Sequence, residues 1–129
     1  DLHNRVARIE ATPHATLISI HQNTYPGDKY HGAQVFYGKQ AGSKELADRV
    51  QTTIREGLDP SNNRKIKPAD KVYLMENINC PGILVECGFL SNRDEEQKLL
   101  TPAYQTKLAM TICFGTLAQL NEESGDDEI

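Results

Sequence analysis

Two side chains in this sequence could carry chemistry by their type and setting. Glu86 ends the apolar run Gly82-Ile83-Leu84-Val85, which has the composition of a buried strand. A carboxylate stays ionised in an apolar site only at a cost, so a buried Glu is paired, metal-linked or shifted in pKa. His21 ends a second apolar run, Ala15 to Ile20. If both strands run the same way, both side chains reach one sheet edge, and ligands of open α/β sheets bind at such an edge. A neutral imidazole and an acid placed together are the parts of a metal-activated water site, with His as ligand and Glu as general base. The plainer alternatives, a strand-end Glu that reaches water and a structural His, stay open on these residues alone.

Further ligands are scarce. At about 3.3 Å per strand residue, His14 lies roughly 20 Å from His21 and cannot share an ion with it. His3 falls in a helical pattern and reads as a surface residue. His31 has a geometric argument for proximity, given below, against the alternative of an exposed loop His. Cys80, Cys87 and Cys113 are an odd set without CxxC spacing, so neither a zinc knuckle nor a disulfide framework follows. Cys87 and Cys113 are both expected as buried thiols. There is no GxSxG elbow, P-loop or GxGxxG.

The elements that must position His21 and Glu86 follow from pattern. Leu2, Val6 and Ile9 have helical spacing, and Thr12-Pro13 ends that helix. Ala15–Ile20 is a strand. A loop with Pro26-Gly27 and Asp28 leads to a second strand, 32–37. This link is too short for a crossover helix, so the two strands are expected antiparallel if they are neighbours. That arrangement would bring His31 near His21. Ser43 to Leu58 is an amphipathic helix with the stripe Leu46, Val50, Thr53, Ile54 and Leu58, closed by Gly57 and Pro60. Pro68 is read as opening one helical turn. Val72-Tyr73-Leu74-Met75 is strand or short helix, with a helix-to-strand passage favoured. Glu86 then lies on the innermost strand, which Gly88 breaks. Ser91 or Asn92 caps a helix opened by Asp94, Glu95 and Glu96. Thr101-Pro102 starts a last helix, expected to end near Leu120, and 121–129 reads as an acidic disordered tail.

Length and composition bound the rest. At 129 residues, 38% hydrophobic and 25% charged, the chain is one globular domain's worth. A net charge of -4 without a dense basic stripe argues against a nucleic-acid surface. No apolar run approaches the roughly 18 residues of a membrane span. No stretch reads as a signal peptide, and the chain starts at Asp1 without Met. It is therefore expected to be a processed product or a cropped piece.

The two candidate stretches also carry a resemblance. Ser19-Ile20-His21-Gln22-Asn23 resembles the Ser-Ile-His-x-Asn motif of zinc-dependent N-acetylmuramoyl-L-alanine amidases. Val85-Glu86-Cys87-Gly88-Phe89-Leu90-Ser91-Asn92 is similar to that family's Val-Glu-x-Gly-Phe-Leu-Ser-Asn motif. Gly32-Ala33-Gln34-Val35-Phe36-Tyr37 looks like the spore-cortex members. The resemblance implies an α/β fold, with a mixed, mostly parallel sheet flanked by helices, of which residues 1–120 form the C-terminal part and the first strands are missing. It implies His21 as a Zn2+ ligand, Glu86 as the catalytic acid/base, and Asn23 as a substrate-binding residue. The family's two other zinc ligands, a His in Asp-Pro-Gly-His-Gly-Gly and a later Glu, lie in an N-terminal segment outside this chain.

The implied reaction is hydrolysis of the amide between the muramic acid lactyl group and L-Ala of peptidoglycan. The implied location is extracytoplasmic, at the cell wall or spore cortex, with an activating protein or the missing N-terminal segment as partner. Alternatives are a non-catalytic wall-binding or regulatory fragment and a zinc peptidase of similar topology.

Overall fold

A computed structural model of the chain describes residues 1–127. The helices are α1 (Leu2–Glu10), α2 (Ser43–Gly57), α3 (Tyr73–Asn77), α4 (Arg93–Leu99) and α5 (Pro102–Asp127). The strands are β1 (Leu17–Asn23), β2 (Gln34–Tyr37), β3 (Lys67–Pro68) and β4 (Gly82–Phe89), in the sheet order β1-β4-β2-β3. β4 is parallel to β1 and antiparallel to β2, and β2 is parallel to β3. The expected mixed, mostly parallel α/β sheet with β4 innermost is therefore present. β1 and β2 do run in opposite directions, as their short link requires. They are not neighbours, because the more apolar β4, which gains from cover on both faces and both edges, lies between them.

Each sheet face has its own cover. Val35, Ile83, Val85 and Cys87 pack with Leu46, Val50 and Ile54 of α2, and with Leu108 and Ile112 of α5. Burying each such large aliphatic side chain contributes about 1.5–3 kcal/mol. α2 and α5 approach closely at Gly115, where a Cβ would lie 3.0 Å from Thr53 Oγ1 and 3.1 Å from Val50 Cα. On the opposite face, Leu17, Phe36 and Leu84 pack with Met75 of α3 and with Val6 and Ile9 of α1.

Several elements depart from the sequence reading, each for a local reason. Lys67–Pro68 forms strand β3 instead of a helical turn, since Lys67 pairs with Phe36 and Ala69 N–H donates to Tyr37 O. Of the Val72–Met75 segment, Val72 is an extended N-cap and the rest is helical, with α3 ending at Asn77 and, among the described residues, no strand after it before β4. β1 continues past Ile20 to Asn23, and β4 continues past Gly88 to Phe89, through an irregular register between His21 and Asn23. α5 runs to Asp127 instead of stopping near Leu120. Within the expected acidic tail, Glu122 forms an ion pair with Arg49 of α2, and Glu123 Oε1 accepts from Gln119 Nε2 one turn earlier in the same helix. Residues 128–129 lie outside the described residues. Cys113 is exposed, contrary to expectation, because α5 turns Leu108, Thr111, Ile112 and Thr116 inward and leaves Cys113 on the outer side.

The two sheet edges differ. β3 is two residues long and contains Pro68, features that blunt an edge. β1 is seven residues long, and Ile20 on it is 60% exposed. Met110, Phe114 and Leu117, on the outer side of α5, are exposed as well. A small cavity of about 140 Å³ between this edge and α5 is lined by Ile20, Gln22, Cys87, Leu99, Leu108 and Ile112, among others. A long open edge strand that exposes a large apolar side chain is an association surface. Residues 1–129 alone are expected to associate with rising concentration in sedimentation velocity, and Ile20→Lys to reduce that association. A monomeric, cooperatively melting preparation of the unmodified chain would contradict this.

Candidate active site

The register of β4 builds the site. His21 pairs with Glu86 across β1–β4, and Gln34 pairs with Glu86 across β2–β4. Directly paired residues point to the same face of a sheet, and residues two apart along a strand share a face. One row back, Ser19, Leu84 and Phe36 are aligned in the same way. The face that α1 and α3 cover near Leu84 and Phe36 therefore carries His21, Glu86 and Gln34 one step further along.

The expected meeting of His21 and Glu86 at one sheet edge is present. Both lie inside their strands, a few residues before the ends. Two residues of β1 span three of β4 after this row, with Asn23 opposite Phe89. That extra residue is a bulge at Cys87-Gly88, a local device that re-aims side chains next to sites.

Glu86 is half-buried, and its Oε2 is buried with no hydrogen-bond partner. Burial raises its pKa above the ordinary carboxylate value, and the charge on nearby His21 pulls it partly back. His21 is exposed, and its Nε2 lies 2.8 Å from Ser19 Oγ, which orients the ring. Asn23 is half-buried, and its carbonyl accepts from Leu90 N–H at 2.7 Å. His31 is exposed and precedes β2, which β4 separates from the strand of His21. Its carbonyl accepts two hydrogen bonds from the Arg64 guanidinium.

Cys87 is buried, as expected. Burial first, and the Glu86 charge second, push its thiol up to about 11, so it is protonated at neutral pH and a poor nucleophile.

Among the described residues no group of three or more His, Cys, Asp or Glu is placed to hold a metal ion. A catalytic zinc takes three protein ligands. The chain's own donors at this edge therefore do not by themselves fit such an ion, although the unpartnered Glu86 Oε2 and exposed imidazole of His21 leave room for further chemistry beside them.

Sequence reading missed the residues that hold the loop over the site. Glu95 of α4 is buried, and its Oε1 accepts from Gly32 N–H at 2.6 Å and Phe89 N–H at 3.3 Å. Ser91 Oγ accepts from Tyr25 N–H, and Asn92 Nδ2 donates to Asp28 O. Asn92 also caps α4, accepting from Glu95 N–H. Gly88 permits this approach, since a Cβ there would lie 3.1 Å from Leu99 Cδ1 and 3.3 Å from Glu95 Oε1. The start of β2 is fixed by Gln51 of α2, which accepts from Val35 N–H and donates to Ala33 O. The available signals were a Gln beside the apolar stripe of α2 and a Glu three residues past a helix cap.

Comparison with known proteins places this geometry. The model of the N-acetylmuramoyl-L-alanine amidase family matches residues 1–117. The chain belongs to this family. A germination-specific N-acetylmuramoyl-L-alanine amidase of Bacillus subtilis is 40% identical over 129 residues, 99% of this chain and 54% of that protein. The solved structure of the CwlD amidase from Clostridioides difficile, in complex with the GerS lipoprotein, has a TM-score of 0.89 at 40% identity. It covers 93% of this chain and 61% of that one. An N-acetylmuramoyl-L-alanine amidase structure from Clostridium difficile 630 has a TM-score of 0.85 at 35% identity, covering 94% of this chain and 66% of that one. The chain thus spans between about half and two thirds of these relatives.

The site yields two tests. Glu95→Ala leaves two backbone N–H groups without their carboxylate acceptor, and is expected to destabilise the chain by about 1–3 kcal/mol. Amide exchange at Gly32 and Phe89 should accelerate more than in α2. The second test concerns Glu86, whose raised pKa means that the folded state holds its proton more tightly than the unfolded state. The resulting stability is full below the unfolded pKa and is lost as pH rises through the folded pKa. Gln at this position does not titrate. Relative to the unmodified chain, Glu86→Gln should therefore gain stability from acid to neutral pH in urea melts, and parallel profiles would refute the assignment.

Proposed function

We propose that this chain is part of an enzyme that hydrolyses the amide between the lactyl group of N-acetylmuramic acid and the L-Ala of a peptidoglycan stem peptide. The observation that carries the proposal is the pairing of His21 with Glu86, whose partly desolvated carboxylate has one buried oxygen free. A carboxylate with a raised pKa suits a group that takes a proton from attacking water and returns it to the leaving amine. Glu86 performs that transfer, Ser19 holds the His21 ring in orientation, and the half-buried Asn23 contacts substrate two positions beyond His21. His21 is one donor of a zinc site whose other donors lie outside these residues. An ion held there with such outside donors would supply polarisation of the substrate carbonyl and a more acidic water.

The proposal extends to setting and partner. The enzyme acts outside the cytoplasm on wall or spore cortex, in keeping with the germination-specific relative. A protein partner is part of the reading, because the CwlD structure was solved with a lipoprotein bound. Among the described residues no helix is long and apolar enough to cross a membrane.

The test uses the intact protein that carries this chain. Glu86→Gln keeps shape but cannot accept a proton, and should lower wall hydrolysis roughly 10²–10⁴-fold while leaving zinc content unchanged. His21→Ala should lower zinc content itself. Products should carry free muramic lactyl groups. New amino termini within the peptide would instead indicate a peptidase. Full activity in Glu86→Gln would make Glu86 a structural strand residue, and wall binding without any hydrolysis would favour a binding fragment.

A further inference from the structure

Beside Glu86 lies a second feature that the proposed proton transfer does not use. An open cleft of about 370 Å³ is lined by Lys29, His31, Gln34, Arg64, Lys65 and Lys67, together with Asn63. Four cations and no acid line it, in a chain whose net charge is -4. Among the described residues the one ion pair is Arg49–Glu122, on α2 and α5. Among the described residues the cations of the cleft therefore have no carboxylate partner, although the chain has more acids than bases.

The cleft is built rather than loose. Arg64 Nε and Nη2 donate to His31 O at 3.1 and 3.0 Å, and its guanidinium lies 5.1 Å from the centre of the Phe89 ring. Those bonds use two of the five guanidinium N–H groups and leave three to donate. Asn62 is buried, and its Oδ1 accepts from Arg64 N–H while its Nδ2 donates to Ala33 O. Gln34 Nε2 donates to Lys65 O at 2.7 Å, tying the basic loop to β2. Lys29, Lys65 and Lys67 keep their side chains exposed.

Position supplies the function. Gln34 is a wall of the cleft and the direct strand partner of Glu86. Neighbouring strands lie about 4.8 Å apart, so the cations begin roughly two strand spacings from the acid. An extended peptide advances about 3.3–3.6 Å per residue, so two or three residues bridge that gap. Taking the amidase reading above as its basis, we propose that this cleft is a subsite for a carboxylate on the peptide portion of the substrate, two or three residues beyond the scissile amide. Arg64 supplies the planar, directional donor that suits a carboxylate. The lysines supply point charges that draw an acidic peptide toward Glu86.

The test compares two N-acetylmuramoyl peptides, one with free side-chain and terminal carboxylates and one with those groups as carboxamides, on the intact protein. The double variant Lys65→Gln/Lys67→Gln changes exposed side chains and should melt as the parent does. It is expected to raise KM for the free-carboxylate peptide about tenfold, as the loss of two partly exposed ion pairs implies, and so to collapse the preference for it over the carboxamide. Lys44→Gln, on α2, serves as the control that keeps the preference. An unchanged preference, or an equal loss on both peptides, overturns the proposal. So does a phosphate-rich wall polymer that competes with the parent and not with the variant while peptide discrimination is untouched. If the parent cleaves neither peptide, alone or with its protein partner, the amidase reading fails by itself. Equilibrium titration of the same peptides then decides the subsite, with tighter free-carboxylate binding that the double variant loses supporting it, and equal binding refuting it.

Discussion

The pairing of β4 with a neighbour on each side, at Glu86, is the constraint on which the rest depends. A parallel partner delivers His21 and an antiparallel partner delivers Gln34 to the same row. Such a row has little freedom, because slipping either strand by one residue would turn its side chains to the other face. The core fixes the slip. Val85 and Val35 are fully buried against α2 and α5 on one face, so Glu86 and Gln34 must emerge on the other. Hydrophobic packing thus sets the site's geometry, and the carboxylate is the polar residue that this packing forces into a partly dry place.

A second layer holds the row's surroundings. The residues after the β4 bulge wrap back over the site loop, with Ser91, Asn92 and Glu95 bonded to Tyr25, Asp28 and Gly32. The stretch from Glu86 to Glu95 therefore has two tasks. Its strand half presents an acid, and its helix-start half fixes the loop beside that acid. Each buried backbone N–H met by a carboxylate removes a penalty that would otherwise favour opening of the loop.

Much of this was legible in the sequence. The apolar run through Val85 and the stripe of α2 both depend on local periodicity, and periodicity survives without knowledge of neighbours. His21 and Glu86 were readable for the same reason, since each follows an apolar strand. The reading failed where a tertiary contact overrode local signals. Pro68 sits at a helix-start pattern, yet the free edge of β2 captured Lys67. Gly88 reads as a breaker, yet the ladder absorbed it as a bulge. Near the end of α5, Glu122 meets Arg49, which is seventy-three positions away in the chain. The roles of Glu95 and Gln51 could not be read from a polar residue in a helix, because nothing in the helix says which backbone groups will face it.

The contrast between the two sheet edges has a consequence for control. A short strand with proline blunts one side, so the open edge for further strands is that of β1, the strand that holds His21. A segment that adds to the sheet beside β1 docks next to the imidazole, and the same event that dries Ile20 brings new side chains to the His21–Glu86 row. In the proposed hydrolase, docking of any such strands and readiness of the His21–Glu86 row would be one transition, a safety catch that keeps the row inert until the sheet beside it is filled.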